Sequence, residues 1–132
     1  MPTIQIEVHQ RGRTTSAALV RGHQIVVDRP NEKNGDDKGP MGGELLLVGL
    51  GGCFMSNLLA VIRERKVDVT NVKTNITATI AQSPARFSAV ALCVSADCED
   101  RTLLEELVTI AERGCIVANT LRTGTVLTAK IA

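Results

Sequence analysis

Hydrophobic and polar residues alternate over the first third of the chain, the pattern of half-buried β-strands. Residues 4–8 place an apolar side chain at every second position, which is a period of two. Two further apolar runs, 15–20 and 24–28, are separated by Arg21-Gly22-His23. Because Gly22 can take a positive φ, this short connection predicts a hairpin turn.

A long uncharged stretch dominates the middle of the chain. Residues 45–62 carry no charged side chain, and basic residues follow at the end, which suits the C-terminus of a helix. We predict one long helix from Glu44 to about Lys66. A membrane span is the alternative, but the glycine and polar residues inside the stretch favour a helix buried on most sides of a protein core. The charged, Pro- and Gly-rich segment 29–43 before it is predicted to be a functional or mobile loop.

The second half combines two strands, two helices and a closing strand. Side chains alternate from Val72 to Ile80, whereas residues 87–94 are apolar on both faces and predict an interior strand. Residues 101–113 form a helical pattern that begins with a Thr102-x-x-Glu105 capping box and ends at Gly114. Residues 115–121 predict a short helix or turn, and 126–131 a last strand. The order β-β-β-α-β-β-α-β indicates an α+β fold, helices on antiparallel sheet, in one domain over 1–132.

Composition excludes several classes of function. The 132 residues carry a net charge of +1 and only two aromatic residues, both Phe, so a nucleic-acid surface or a base-stacking platform is not expected. The N-terminal residues show no secretion signal, and we therefore expect a cytoplasmic protein. In a reducing compartment, four cysteines indicate catalytic or redox chemistry more than structural disulfides.

Cysteine is the candidate for chemistry. Cys53 follows Gly51-Gly52 inside the long helix; it is either reactive, beside a close approach of backbone or substrate, or an inert buried thiol in a tightly packed helix. Cys115 lies just beyond the predicted helix end. Cys93 is predicted in the core, and Cys98 in an exposed acidic turn. Neither spacing nor the position of the two histidines predicts a metal site, and no cofactor is expected.

Two stretches resemble the signature of the OsmC/Ohr family. The first runs from Gly39-Pro40 through Glu44-Leu45-Leu46 to Gly51-Gly52-Cys53, and the second is Ala111-Glu112-Arg113-Gly114-Cys115-Ile116-Val117-Ala118-Asn119-Thr120-Leu121. The resemblance implies antiparallel sheets around a long buried central helix, in an intertwined homodimer. It also implies a thiol peroxidase that reduces organic hydroperoxides, with electrons from a dithiol such as a lipoylated protein.

The resemblance also assigns roles to residues. Cys53 matches the peroxidatic cysteine, Cys115 the resolving one, and Glu44 the glutamate that holds an arginine beside the reactive sulfur. Arg21 matches that arginine best, with Arg29 as the fallback.

The chain departs from the family's best-studied branch at two positions. Glu44 stands nine residues before Cys53, whereas that branch has its glutamate ten before, where this chain has Gly43. Ile116 occupies a position where the family often has Pro. Two other readings therefore stay open: a binding or redox-sensing module with little turnover on the same fold, or a structural domain whose cysteines are incidental.

Overall fold

The computed structural model describes residues 1–132 and shows a mixed α+β chain with antiparallel sheets and one long helix, as predicted. The strands are β1 (Glu7–Gln10), β2 (Ser16–Val20), β3 (His23–Val27), β4 (Thr70–Ala81) and β5 (Arg86–Asp97), and the helices are α1 (Gly42–Arg65), α2 (Arg101–Arg113) and α3 (Ile116–Thr123). The chain divides into two compact units, Met1–Leu46 and Leu47–Ala132. Whether it forms one domain stays a prediction.

The first unit contains a three-stranded antiparallel sheet in the order β1-β2-β3. Arg21 and Gly22 both have positive φ, 48° and 83°, which is the backbone of the tight turn predicted between β2 and β3. β1 begins at Glu7 rather than at residue 4. Glu7 pairs with Leu19, and β2 ends one residue later at Val20, so the residues before Ile6 extend past the end of β2.

Asp28 organises the loop that follows β3. It is only 3% exposed, and its carboxylate accepts hydrogen bonds from the hydroxyls of Thr14 and Thr15 and from the backbone N–H groups of Arg29 and Lys38. The loop includes a short 3-10 helix, Asn31–Lys33, and folds back until the Asp28 N–H donates to the Pro40 carbonyl at 3.0 Å. The segment predicted as a functional or mobile loop is thus a compact, internally bonded turn.

The second unit packs α1, α2 and α3 over the β4-β5 sheet. One stripe of α1 is buried, formed by Leu50, Phe54, Leu58 and Val61, at the i, i+4, i+8, i+11 spacing of one helix face. These side chains share a core with Leu107 and Ala111 of α2 and with Cys115 and Ala118. Alternate side chains of the sheet, Val72, Val90, Leu92 and Val94 among them, pack against this core.

The prediction that the long helix is buried on most sides is wrong for the single chain. Only 17% of its most apolar 18-residue window is buried, and α1 is long and apolar enough to pass a length-and-composition test for a membrane span. Val48 and Leu59, both on α1, are 62% and 50% exposed.

Three details of the second unit also differ from prediction. The sheet has two strands, so β5 is not interior, and Cys93 is exposed rather than in the core. Ile80 is 63% exposed because the pairing shifts register between Thr79 and Ile80, and such a shift moves a side chain to the other face. Residues 126–131 form no strand, since no neighbouring strand pairs with them.

Helix α2 begins one residue earlier than its predicted capping box. Asp100 is the N-cap and its side chain accepts the Leu103 N–H, whereas Thr102 already lies inside the helix. An aspartate caps a helix as well as a threonine does, and Asp100 is the last residue with an extended backbone before the helix, so it takes the N-cap position. The predicted helix end at Gly114 is confirmed.

Candidate functional site

Cys53 lies on the face of α1 that contacts the core of the second unit. It stands three residues after the buried Leu50 and packs, half-buried, against the core cluster that contains Cys115. A sulfur in this position has apolar neighbours on one side and partial access to solvent on the other. That combination suits a thiol that must stay protected yet react.

Gly51 explains part of the glycine pair before Cys53. A Cβ atom at Gly51 would overlap the Cδ1 atom of Ile76 on β4, whereas a Cβ at Gly52 would meet nothing within 4 Å. At Gly51 the sheet packs a side chain directly on the α1 backbone, which is the tight packing of the second interpretation, and an approach of backbone or substrate stays a prediction. Gly52 faces open space in the single chain.

Cys115 occupies the N-cap of α3. Its backbone is extended, with φ −81° and ψ 112°, and its Sγ accepts the Ala118 N–H at 3.4 Å. The residue is 0% exposed. The helix end at Gly114 and the helix start at Ile116 thus hold this sulfur inside the core.

The first turn of α3 points two backbone donors at Cys53. Burial raises the pKa of the Cys53 thiol, but the N–H of Val117, the thiol of Cys115 and the N–H of Ile116 lower it by more, so the pKa is lowered overall. These donors stabilise the thiolate at the positive end of the helix dipole.

Cys115 is shifted in the opposite direction. Burial raises the pKa of its thiol, and the hydrogen bond and negative charge of Cys53 raise it further, against the N–H groups of Ala118 and Val117. The site therefore pairs a sulfur that ionises readily with one that keeps its proton. Such a pair can supply a nucleophile and then a second thiol to close a disulfide.

Glu44 lies at the start of α1 and is exposed. Its Oε1 accepts the Met41 N–H at 2.9 Å, as the third residue of a helix does in a capping box. Because α1 is continuous, nine residues separate Glu44 from Cys53 by about 13.5 Å and half a rotation of the helix. Glu44 here caps the helix, and its predicted role beside the reactive sulfur stays a prediction.

Arg21 and Arg29 both belong to the first unit. Arg21 sits in the β2–β3 turn and Arg29 follows Asp28, and both side chains are exposed. The backbone of Arg29 also takes part in the hydrogen bonds of the loop. Its N–H donates to the Asp28 carboxylate at 2.7 Å, and its carbonyl accepts the Asp37 N–H at 3.0 Å. Which arginine, if either, serves Cys53 stays a prediction.

The two remaining cysteines lie outside the pair. Cys93 is exposed on β5, opposite Asn75 of β4. Cys98, predicted to be exposed, is half-buried, and its Sγ donates to the Asp100 carbonyl at 3.3 Å. Asp100, whose carbonyl accepts this bond, is the N-cap of α2.

The backbone donors of α3 are the functional groups that sequence analysis missed. A cysteine directly after a helix-ending glycine and directly before another helical run is a signal for an N-cap. The predicted helix 101–113, its end at Gly114 and the predicted short helix or turn 115–121 already contained that signal. A side chain that reaches such an N-cap from elsewhere meets free N–H groups.

A comparison with protein families identifies the chain's class. The family model described as "OsmC-like protein" matches residues 35–130, which includes both Cys53 and Cys115. Protein YhfA of Escherichia coli is 26% identical over 111 residues, covering 81% of this chain and 80% of that protein.

Solved structures show the same fold. A hypothetical protein from Aquifex aeolicus aligns with a TM-score of 0.79 at 18% identity, over 95% of this chain and 91% of that one. An organic hydroperoxide resistance protein from Elizabethkingia anophelis aligns with a TM-score of 0.72 at 18% identity, over 94% and 91%. At these identities the likeness is one of fold.

Proposed function

The chain belongs to the OsmC-like protein family, and on this premise we propose that it is a thiol peroxidase that reduces organic hydroperoxides. Cys53 is the attacking sulfur and Cys115 the resolving one. Membership of the family supports a peroxide-related redox function in general. The specific reaction rests on one observation, the two neighbouring thiols whose pKa values are shifted in opposite directions.

The first step uses the thiolate of Cys53. It attacks the distal oxygen of the hydroperoxide, the O–O bond breaks, and the leaving alkoxide takes a proton to become an alcohol. Cys53 is then a sulfenic acid. The N–H groups of Ile116 and Val117 lower the pKa of Cys53 and so favour the thiolate before the attack, and apolar neighbours suit a substrate with an organic tail.

The second step uses Cys115. Its sulfur attacks Cys53, an S–S bond forms, and the S–O bond breaks as hydroxide leaves and takes the thiol proton to become water. A dithiol, such as a lipoylated protein, then reduces the disulfide by two exchange steps. We place this cycle in the cytoplasm, where such reductants keep thiols reduced.

The test is hydroperoxide consumption by the pure protein with a dithiol. We expect cumene hydroperoxide to be consumed faster than hydrogen peroxide, and Cys53→Ser to abolish turnover because it removes the proposed attacking sulfur. Cys93→Ser, which removes an exposed thiol outside the site, is the matched control and should retain activity. Turnover that survives in Cys53→Ser would refute the assignment.

A binding or redox-sensing module is the second candidate. One observation favours it: Glu44 is bonded to Met41 and lies half a helix rotation from Cys53. A site without that carboxylate could react once and not turn over. Stoichiometric loss of hydroperoxide with no further consumption in excess dithiol would support this function over the peroxidase.

We also propose that the working form is a homodimer. Apolar side chains are exposed on α1, such as Val48 and Leu59, and in the C-terminal segment, such as Val126 and Ile131, and large exposed apolar patches mark protein–protein interaction sites. A second copy would cover these side chains. Light scattering should give twice the mass of one chain, and Leu59→Glu should lower that mass whereas Thr77→Glu, on the exposed face of β4, should not.

A further inference from the structure

The last turn of α2 ends beside Cys115. The hydrogen bonds to the carbonyls of this turn bear on the step in which Cys115 forms a disulfide with Cys53. A helix leaves its last four carbonyl groups without partners inside the helix. In α2, the carbonyls of Ile110 and Glu112 accept the backbone N–H groups of Gly114 and Cys115, both at 3.2 Å. The other two carbonyls are bonded by asparagine side chains.

Asn57 supplies the first of these bonds. Its Nδ2 donates to the Ala111 carbonyl at 3.3 Å. Asn57 stands four residues after Cys53 on α1, so the two side chains share one helix face. The half-buried amide therefore ties the helix that carries the attacking sulfur to the turn that carries the resolving sulfur.

Asn119 supplies the second bond from the other side. Its Nδ2 donates to the Arg113 carbonyl at 3.2 Å, and its backbone N–H donates to the Cys115 carbonyl at 3.0 Å. The turn between α2 and α3 is thereby closed on the α3 side as well. Cys115 lies inside this turn, with its Sγ directed to Ala118.

We infer that Asn57, assisted by Asn119, is a positioning residue that sets Cys115 at bonding reach of Cys53. A disulfide tolerates only a narrow range of Cβ separations and of torsion about the S–S bond. If the amide bond is lost, α1 and the turn can move apart, and Cys115 meets the oxidised Cys53 less often. The inference rests on the proposed function, but it concerns only the step that forms the disulfide.

The experiment separates that step from the attack on peroxide. Cys53 is oxidised once with cumene hydroperoxide, the mixture is quenched with an alkylating reagent, and mass spectrometry follows thiol, sulfenic acid, disulfide and sulfinic acid. In Asn57→Ala we expect thiol loss at the wild-type rate, disulfide formation slowed about fivefold, as one lost hydrogen bond implies, and more sulfinic acid. Asn119→Ala should show a smaller slowing, and Asn57→Gln a partial rescue.

Two controls keep the result specific. Asn75→Ala removes an exposed asparagine on β4, opposite Cys93, and should form the disulfide at the wild-type rate. Diamide forms the same Cys53–Cys115 bond without any peroxide, since it takes two electrons and two protons from the thiols to become a hydrazine.

The outcomes are distinct. If hydroperoxide fails to oxidise wild-type Cys53, the proposed function is wrong, and the diamide rates still test Asn57. If Asn57→Ala and Asn119→Ala close the disulfide as fast as wild type with diamide, or no slower than Asn75→Ala, the positioning role is wrong.

Discussion

Two side chains, one in each compact unit, have a pKa that nearby donors lower, and they differ in how far they are exposed. The Asp28 carboxylate accepts two hydroxyl and two backbone N–H hydrogen bonds, at 2.7 to 3.2 Å. Near the Cys53 sulfur, the N–H groups of Ile116 and Val117 and the thiol of Cys115 lower its pKa. In both cases burial raises the pKa and the donors lower it by more.

Exposure is what separates them. Asp28 is 3% exposed and bonded by four donors, so its carboxylate is closed to other molecules. Its hydrogen bonds instead fix the loop around it. Cys53 is half-buried, and its donors come from one helix end, so one side of the sulfur remains accessible. The donors around the enclosed Asp28 fix its loop, whereas a lowered pKa on the partly exposed Cys53 supports its proposed role as the nucleophile.

Neutralising the anchor should have the largest effect on stability. Asn in place of Asp28 keeps the shape but turns an N–H₂ group toward donors that need an acceptor. We expect Asp28→Asn to lower Tm by on the order of 10 °C, measured by circular dichroism. Asp36→Asn, in the same loop but exposed and 3.7 Å from Arg13, should change Tm little.

The pH dependence of that difference gives an independent check. The folded pKa of Asp28 lies below the ordinary value of about 3.9, so its contribution is present above pH of about 4 and is lost as the pH falls further. The Tm gap between wild type and Asp28→Asn should therefore narrow below pH 4. A gap that stays constant on acidification would contradict the anionic anchor.

Neither the donors around Asp28 nor those around Cys53 follow a periodic pattern in the sequence that would have predicted them. The turn at Arg21-Gly22 and the alternation along β4 were predictable because each depends on neighbouring residues. Asp28 was missed because its partners lie 13 and 14 residues before it and 10 after it, and a lone aspartate after a strand has no distinctive spacing.

The strand predictions that were wrong failed because a partner strand is missing or its pairing register is shifted. Residues 126–131 have the apolar content of a strand but no partner, and Val126 is 91% exposed. Ile80 continues the alternation of β4, yet the register shift moves it outward. Local pattern indicates what a segment can become, and pairing decides whether it does.

A substitution at Ile116 has the smallest expected effect and tests the comparison of Cys53 with Asp28 most directly. Replacing Ile116 with proline removes one N–H donor from Cys53 and nothing else of consequence. Proline is well tolerated at the first position of a helix, the extended backbone of Cys115 suits a residue before proline, and the Ile116 side chain is 67% exposed.

The expected result is a less reactive Cys53. In Ile116→Pro the pKa of Cys53 should rise, since Val117 and Cys115 must hold the thiolate without the Ile116 N–H, and alkylation by iodoacetamide at pH 7 should slow about threefold. Ile116→Ala, which keeps the N–H, should react as wild type does, and the exposed Cys93 gives an internal reference in every sample. Equal rates for the proline and alanine variants would mean that the Ile116 N–H does not contribute to the reactivity of Cys53. Other charges would then set the pKa of Cys53, and exposure alone would not distinguish Cys53 from Asp28.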